Sequence, residues 1–293
     1  MFQRVLICTD FSDSLQRLVN FVPSLAAGGI SQIVFLHTVS LEEAPIPRVD
    51  TERIDRARDK LSVACRQAPS GVEVKIEVQS GRAIDTILRT AATYESDVII
   101  LGTPSRNLLT EKLFGSTTMG LAQRTKIPLF TLRPQLISTY TTEELDLRCR
   151  HLFRNLLLPF DNSNAAKYTV EKIKQLSQKK LPSKECIQEI LLCWVVEEGG
   201  RSELSETEQQ TIVSQTIEPI QQSLNAAGLA TELEVRRGNP IVEILAVAQE
   251  SDISAIVLSS DSLGKLLEWS APSFAGEIMR RSWHSVLYFP PQK

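Results

Sequence analysis

The chain has 293 residues, of which 42% are hydrophobic and 23% are charged. This is the balance of an ordinary globular protein, and the length predicts two domains. The formal net charge is −3 and no long run of Lys or Arg occurs, so we expect no nucleic-acid partner.

The five cysteines are scattered along the chain and form no Cys-x-x-Cys pair. A dispersed, odd-numbered set is typical of a reducing compartment. The first residues predict a strand and a turn, not a signal peptide, and no segment is apolar over the length of a bilayer. We therefore expect a cytoplasmic protein without a membrane anchor.

The first half alternates apolar strands with amphipathic helices. Gly28 and Gly29 end the first helical stretch, and Pro23 inside that stretch predicts a kink or an early end. Apolar strands separated by helices predict a parallel sheet that is covered on both faces. We expect strands over residues 5–9, 32–39, 72–79, 98–101 and 129–132, and helices over residues 14–27, 51–66 and 84–94.

The second half repeats the first. Residues 2–12 and 153–163 are both short apolar runs that end in Asp-x-Ser, and residues 81–134 align without a gap on 238–291. This spacing indicates a duplication, so we expect two domains over residues 1–135 and 150–293. The stretch 135–144 lacks periodicity and is interpreted as a linker.

The second half has the same order of predicted elements. A helix over residues 206–226 has a candidate capping box, Ser205 with Glu208, at its start and Gly228 just past its end. We expect strands over residues 156–160, 190–196, 232–235, 255–258 and 286–289.

Small polar residues follow the first and fourth strands, where an open parallel sheet binds ligands. Asp10 follows the first strand, and Gly102 follows the fourth. Further along, Gly115, Ser116 and Thr117 open a helix. Such a helix start offers free N–H groups, hydroxyl donors and a positive dipole end, which are the requirements of a phosphate site.

These segments resemble the universal stress protein family. The segment from Asp97 to Gly102, followed by Gly115-Ser116, is similar to the family's nucleotide motif, Gly-x2-Gly-x9-Gly-(Ser/Thr). The Asp-x-Ser opening and the second strand, Leu36-His37-Thr38-Val39, resemble the family as well. The resemblance covers nearly all of both halves. It implies two tandem α/β domains, each an open, mostly parallel five-stranded sheet with helices on both faces, similar to the adenine nucleotide α-hydrolases.

The resemblance also implies a function. In ATP-binding members the first Asp contacts the adenine side, and the glycine loop holds ribose and phosphates, so ATP or AMP is the implied ligand of the first domain. The implied protein is a stress-response regulator with an unknown regulatory partner. Its last strands, residues 129–132 and 286–289, are expected near the interface of an intramolecular pseudo-dimer, and a homodimer is a further option. The implied binding residues are Asp10, Thr38, Gly102, Ser105, Gly115, Ser116 and Thr117.

Both halves depart from the family motif. Ser105 replaces the second glycine, which is costly if that position needs a positive φ. In the second half Ser259 replaces the first loop glycine, and Pro272, which has no N–H, replaces the glycine before Ser273. We therefore expect nucleotide in the first half only.

Simpler interpretations stay open beside the ligand site. Asp10 and Asp161 could each cap a helix, and His37 at a strand end is expected to be structural. The sequence shows no base or metal-binding carboxylate pair beside the phosphate loop, and it lacks Gly-x4-Gly-Lys-(Ser/Thr). We therefore expect no catalytic residue, no metal site and no enzyme. The alternatives are a nucleotide-free interaction protein of the same fold and, third, a slow ATP hydrolase.

Overall fold

Residues 1–40, 50–103, 116–178, 187–197, 206–261 and 273–291 are described by a computed structural model of the protein. The chain divides into two units, Phe2–Arg150 and His151–Lys293. Both units are α/β folds with parallel sheets, which confirms the predicted fold class.

The first unit contains a five-stranded parallel sheet in the order β3-β2-β1-β4-β5. Its strands are β1 (Arg4–Cys8), β2 (Gln32–Val39), β3 (Glu73–Ser80), β4 (Val98–Gly102) and β5 (Leu129–Leu132). Its described α-helices are α1 (Val22–Ala27), α2 (Thr51–Leu61), α3 (Val63–Arg66), α4 (Ala83–Thr93), α5 (Ser116–Arg124), α6 (Pro134–Thr139) and α7 (Thr142–Arg150).

The central strands of this sheet are buried on both faces. Val5, Leu6 and Ile7 of β1 are fully buried, as are Ile99 and Ile100 of β4. Parallel strands covered on both faces read as continuous apolar runs, which explains why the sequence located them within a residue or two.

The first helical stretch is divided in two, as Pro23 predicted. Leu15–Phe21 is a 3₁₀ helix, and α1 begins at Val22, which places Pro23 in its first turn. A proline is tolerated there because the N–H it lacks would have no helical partner.

Residues 134–150 include the stretch 135–144 that was interpreted as a linker, and they are mostly helical. They form α6 and α7, and they bury Ile137, Leu145 and Cys149 in the first unit. Arg17 donates hydrogen bonds to the backbone carbonyls of Ile137 and Tyr140. The two helices are short and place few apolar residues on the core, so their periodicity was too weak to recognise.

The second unit repeats the topology, with strand order β10-β9-β6-β7-β8. Its strands are β6 (Asn155–Pro159), β7 (Glu189–Val196), β8 (Ala230–Arg237), β9 (Ala255–Ser259) and β10 (Ser285–Phe289). Its described α-helices are α8 (Asn164–Ser177), α9 (Glu206–Ile212), α10 (Glu218–Ala226), α11 (Pro240–Glu250) and α12 (Phe274–Arg281).

The helix predicted over residues 206–226 is interrupted. A π-helical turn, Val213–Ile217, separates α9 from α10 just before Pro219, which cannot donate to the helical ladder. Gly228 follows α10 with φ +83°, the left-handed conformation of a helix-ending glycine. Ser205, and with it the proposed capping box, lies outside the described residues.

Within the described ranges, none of the helices is both long enough and apolar enough to cross a membrane.

Candidate functional site

The candidate site of the first unit lies where the direction of strand order changes. β1 pairs with β2 on one side and with β4 on the other, so that Cys8 is in register with both Leu36 and Leu101. The loops that follow β1 and β4 therefore leave the same edge of the sheet side by side. This is the topological switch point at which open α/β sheets bind ligands.

Three of the predicted binding residues lie at or near strand ends on this edge, and two others begin a helix. Asp10 follows β1, Thr38 lies near the end of β2, and Gly102 is the last residue of β4. Ser116 and Thr117 are the first residues of α5. Ser105 and Gly115 lie outside the described residues.

Asp10 is exposed and closes a tight turn. Its Oδ1 accepts hydrogen bonds from the Ser12 backbone N–H at 2.8 Å and from the Ser12 hydroxyl at 2.7 Å. The cap of the 3₁₀ helix that follows is Ser14, so Asp10 does not cap it. Asp10 Oδ2 makes no hydrogen bond to any described residue, which leaves this oxygen free to accept one from a ligand.

Asp13 is a buried carboxylate at the same edge, and the sequence did not single it out. Its Oδ1 accepts hydrogen bonds from the Thr9 hydroxyl at 2.7 Å and from the Leu15 N–H at 3.0 Å. Burial, with a smaller contribution from the charge of Asp10, raises the pKa of Asp13 from 3.8 to about 6, although the Thr9 hydrogen bond opposes the rise. Asp13 is therefore a carboxyl group that titrates just below neutral pH.

The absence of a side chain at Gly102 is explained by Asp13. A Cβ at residue 102 would lie 2.6 Å from Asp13 Cβ and 3.0 Å from Asp13 Oδ2. The glycine thus makes room for a buried carboxyl group of its own unit. The resemblance implies a different role, in which Gly102 belongs to the glycine loop that holds ribose and phosphates.

An aromatic and cationic cluster borders Asp10. Phe11 has φ 64°, and its ring centroid lies 4.3 Å from that of His37. The Lys60 ammonium lies 5.0 Å from the Phe11 ring centroid. His37 Nδ1 donates to the Thr9 carbonyl at 2.8 Å, so His37 holds the loop after β1 in place, as the structural interpretation predicted.

The second unit has a cavity of about 330 Å³ at its own switch point. We call it the β6–β9 cavity, because the residues that follow β6 and the residues that end β9 both line it. Lining residues include Phe160, Asp161, Ser163, Cys193, Val195, Glu197, Ile244, Leu258, Ser259, Ser260, Asp261, Ser273 and Phe274.

The hydroxyl groups of this cavity bond to the protein itself. Ser163 Oγ accepts the Ala166 N–H and caps α8, so the cap is Ser163 and not Asp161. Ser273 Oγ accepts the Gly276 N–H and caps α12. Ser259 Oγ donates to the Phe289 carbonyl at 2.7 Å, which accounts for serine in place of the motif's glycine.

No group of three or more His, Cys, Asp or Glu side chains is arranged to hold a metal ion within the described part of the chain.

Comparison with known proteins gives a family and a fold. The model of the universal stress protein family matches residues 1–133 and again residues 152–290. A search of curated proteins finds no match.

Three solved structures illustrate the structural similarity. A universal stress protein from Archaeoglobus fulgidus is 17% identical with a TM-score of 0.65, and the match covers 97% of each chain. A functionally unknown protein from Pseudomonas aeruginosa is 12% identical with a TM-score of 0.60, over 99% of this chain and 93% of that one. A universal stress protein solved in complex with cAMP matches 45% of this chain and 98% of its own, at 22% identity and a TM-score of 0.32. The first two establish the same fold over both halves.

Proposed function

The chain belongs to the universal stress protein family, and from this premise we propose that it is a stress-response regulator whose first unit binds an adenine nucleotide. The observation that carries the proposal is the register of β1 between β2 and β4. That register brings Asp10, the end of β2 and Gly102 to one edge of the sheet, with α5 beginning further along the same chain segment.

The loop after β1 supplies groups for the base and ribose end of the ligand. Asp10 Oδ2 is free among described residues to accept a hydrogen bond from an amino or hydroxyl group. Its orientation is fixed because Oδ1 is held by Ser12. A held carboxylate loses little conformational freedom on binding, which favours affinity.

The start of α5 is proposed to bind the phosphate groups of the nucleotide. The first N–H groups of a helix have no partner within the helix, and the dipole favours an anion at this end. Ser116 and Thr117 stand in this first turn. Lys60, beside Phe11, adds a cation to the same unit.

Asp13 works against phosphate binding at neutral pH. Above about pH 6 it is largely ionised, and it lies directly against Gly102 at the edge where the ligand would bind. A negative charge there repels phosphate, whereas the protonated form does not. We therefore propose that nucleotide affinity in the first unit rises as the pH falls towards 6.

We propose regulation by binding, not catalysis, with a cytoplasmic location and an unidentified protein partner. The intramolecular pseudo-dimer and a homodimer stay predictions that rest on the resemblance. The competing functions are a nucleotide-free interaction protein and a slow ATP hydrolase.

Calorimetric titration of the intact protein with ATP and with AMP tests the proposal. A single saturable site supports it, and no binding at millimolar nucleotide favours the nucleotide-free alternative. Turnover at about 1 per second or faster would indicate an enzyme instead.

A further inference from the structure

We propose that the β6–β9 cavity of the second unit binds an organic cation, an amine with an apolar body, and rejects phosphorylated ligands. This is a separate site from the nucleotide site of the first unit, and its test does not depend on that site.

The β6–β9 cavity has the size and the apolar lining of a small-molecule site. Its volume of about 330 Å³ lies at the lower end of the usual range of about 300–1,000 Å³ for such pockets. Phe160, Leu258 and Ile244 are buried residues that line it. The body of its ligand is therefore apolar and compact.

Cys193 adds a buried, uncharged thiol to this apolar lining. It is 1% exposed, and its thiol makes no hydrogen bond to a described residue, while its backbone carbonyl accepts one from the Phe160 N–H. Burial raises the pKa of its thiol to about 12, so the thiol is uncharged at neutral pH. A buried thiol is a small, polarisable group, so it adds to the apolar surface that the body of the ligand contacts.

In the second unit, the hydroxyl and N–H groups that would bind phosphate are either engaged in other hydrogen bonds or missing. The hydroxyl that could hold an anion at the start of α12, Ser273 Oγ, caps the helix by accepting the Gly276 N–H at 3.1 Å. Pro272 stands where the family motif has glycine and provides no N–H. None of the cavity's described lining residues is Lys, Arg or His.

Three carboxylates are among the described residues that line the cavity: Asp161, Asp261 and Glu197. Asp161 Oδ1 accepts the Ser163 N–H at 3.0 Å, and Asp261 Oδ1 accepts the Ala165 N–H at 3.0 Å. These bonds hold two carboxylates at the cavity. The Oδ2 atoms of both make no hydrogen bond to any described residue, so each can accept one from a ligand.

The carboxylates, with no cation among the described lining residues, favour a positively charged ligand. An ammonium group satisfies oriented carboxylate oxygens with charge-assisted hydrogen bonds, while a phosphate would meet three like charges and no cation among the described lining residues. Asp261 occupies the position of Pro104 in the ungapped alignment of the two halves, so this carboxylate belongs to the second unit alone.

The test compares two probes with the same aromatic body and opposite charge, tryptamine and indole-3-acetate. Both are titrated calorimetrically into the intact protein at pH 7.5. We expect tryptamine to bind with a dissociation constant of about 1 mM or tighter, and indole-3-acetate to bind at least about tenfold more weakly. Added salt should weaken tryptamine binding, because salt screens partly exposed charges.

Substitutions locate the binding site. Asp161→Asn and Asp261→Asn keep the Oδ1 acceptor but remove the charge, and each should weaken tryptamine binding by about three- to tenfold. Asp252→Asn, at an exposed residue of the same unit that does not line the cavity, is the matched control and should change nothing. Ala165→Leu on α8 places a larger side chain in the cavity and should abolish binding, while circular dichroism reports that the fold is kept.

The proposal is overturned by indole-3-acetate binding as tightly as tryptamine, or by no tryptamine binding up to about 5 mM. It is also overturned if tryptamine binds equally well to the two cavity Asn variants and to Ala165→Leu, since the site is then elsewhere.

Discussion

Asp13 packs against Gly102 at the carboxyl-end edge of the first sheet, where the Cβ of Asp13 lies 2.6 Å from the position that a Cβ at residue 102 would take. The contact joins the loop after β1 to the end of β4. It gives the first unit a buried carboxyl group at the edge proposed to bind nucleotide, and several predictions depend on it.

Asp13→Asn should stabilise the first unit at pH 8. The folded unit binds a proton at Asp13 below about pH 6, and the unfolded chain binds it only below about 3.8, so stability falls as the pH rises from 4 through 6. Asparagine keeps an oxygen for the Thr9 and Leu15 donors without the buried charge. We expect a gain of about 1–3 kcal/mol at pH 8 that disappears towards pH 4.

Urea unfolding at pH 4, 6 and 8 measures this effect. Asp59→Asn, at an exposed residue of α2, is the control for loss of a surface charge and should shift stability by less than about 0.5 kcal/mol. If Asp13→Asn were less stable than the unsubstituted protein at pH 8, the ionised Asp13 carboxylate would not be destabilising the fold.

Gly102→Ala should destabilise the unliganded protein by about 1–3 kcal/mol, because the new methyl group overpacks against Asp13. Asp13→Gly removes the obstructing Cβ, and the double variant Asp13→Gly with Gly102→Ala should show favourable coupling between the two substitutions. Additive effects in urea unfolding would mean that Gly102 is needed for a reason other than Asp13.

The Arg17→Met substitution should loosen the segment 134–150. Arg17 donates to the carbonyls of Ile137 and Tyr140, and their loss should cost about 1–3 kcal/mol. Limited proteolysis should then cleave faster near Tyr140. Arg89→Met, which removes an exposed hydrogen bond to Gln79, is the control and should leave the cleavage rate unchanged. Equal rates in both variants would contradict the docking of α6 and α7.

The sequence predicted the sheet better than the helices that pack on it. β2 and β5 have the bounds that their apolar runs indicated, since buried parallel strands carry an unbroken signal. In contrast, α6 and α7 depend on contacts with Arg17 and Ser24, which are far away in sequence. No local pattern reports such contacts.

The candidate site was predicted only in part for the same reason. Asp10 was recognised because it follows a strand in a known pattern. Asp13 became visible only when its burial against Gly102 was seen, and Asp261 only when its hydrogen bond to Ala165 placed it at the cavity. Both are ordinary acidic residues in sequence, and tertiary packing gives them their roles.

Nucleotide affinity should depend on pH through Asp13. We expect AMP to bind up to about tenfold more tightly at pH 6 than at pH 8, because protonation removes a charge that repels phosphate. In Asp13→Asn the remaining pH dependence of AMP affinity should be that of the AMP phosphate group itself. At pH 8 this variant should bind AMP more tightly than the unsubstituted protein does. If both proteins show the same pH profile, Asp13 does not lie at the binding site.

The central claim is that nucleotide binds to the first unit and not the second, and the matched residues Asp10 and Asp161 test it most directly. ATP is titrated calorimetrically into the intact protein and into its Asp10→Asn and Asp161→Asn variants, which both keep the acceptor for the serine two residues on. The account predicts one ATP per chain, with affinity reduced about tenfold by Asp10→Asn and unchanged by Asp161→Asn. Affinity lost in Asp161→Asn and kept in Asp10→Asn would contradict it.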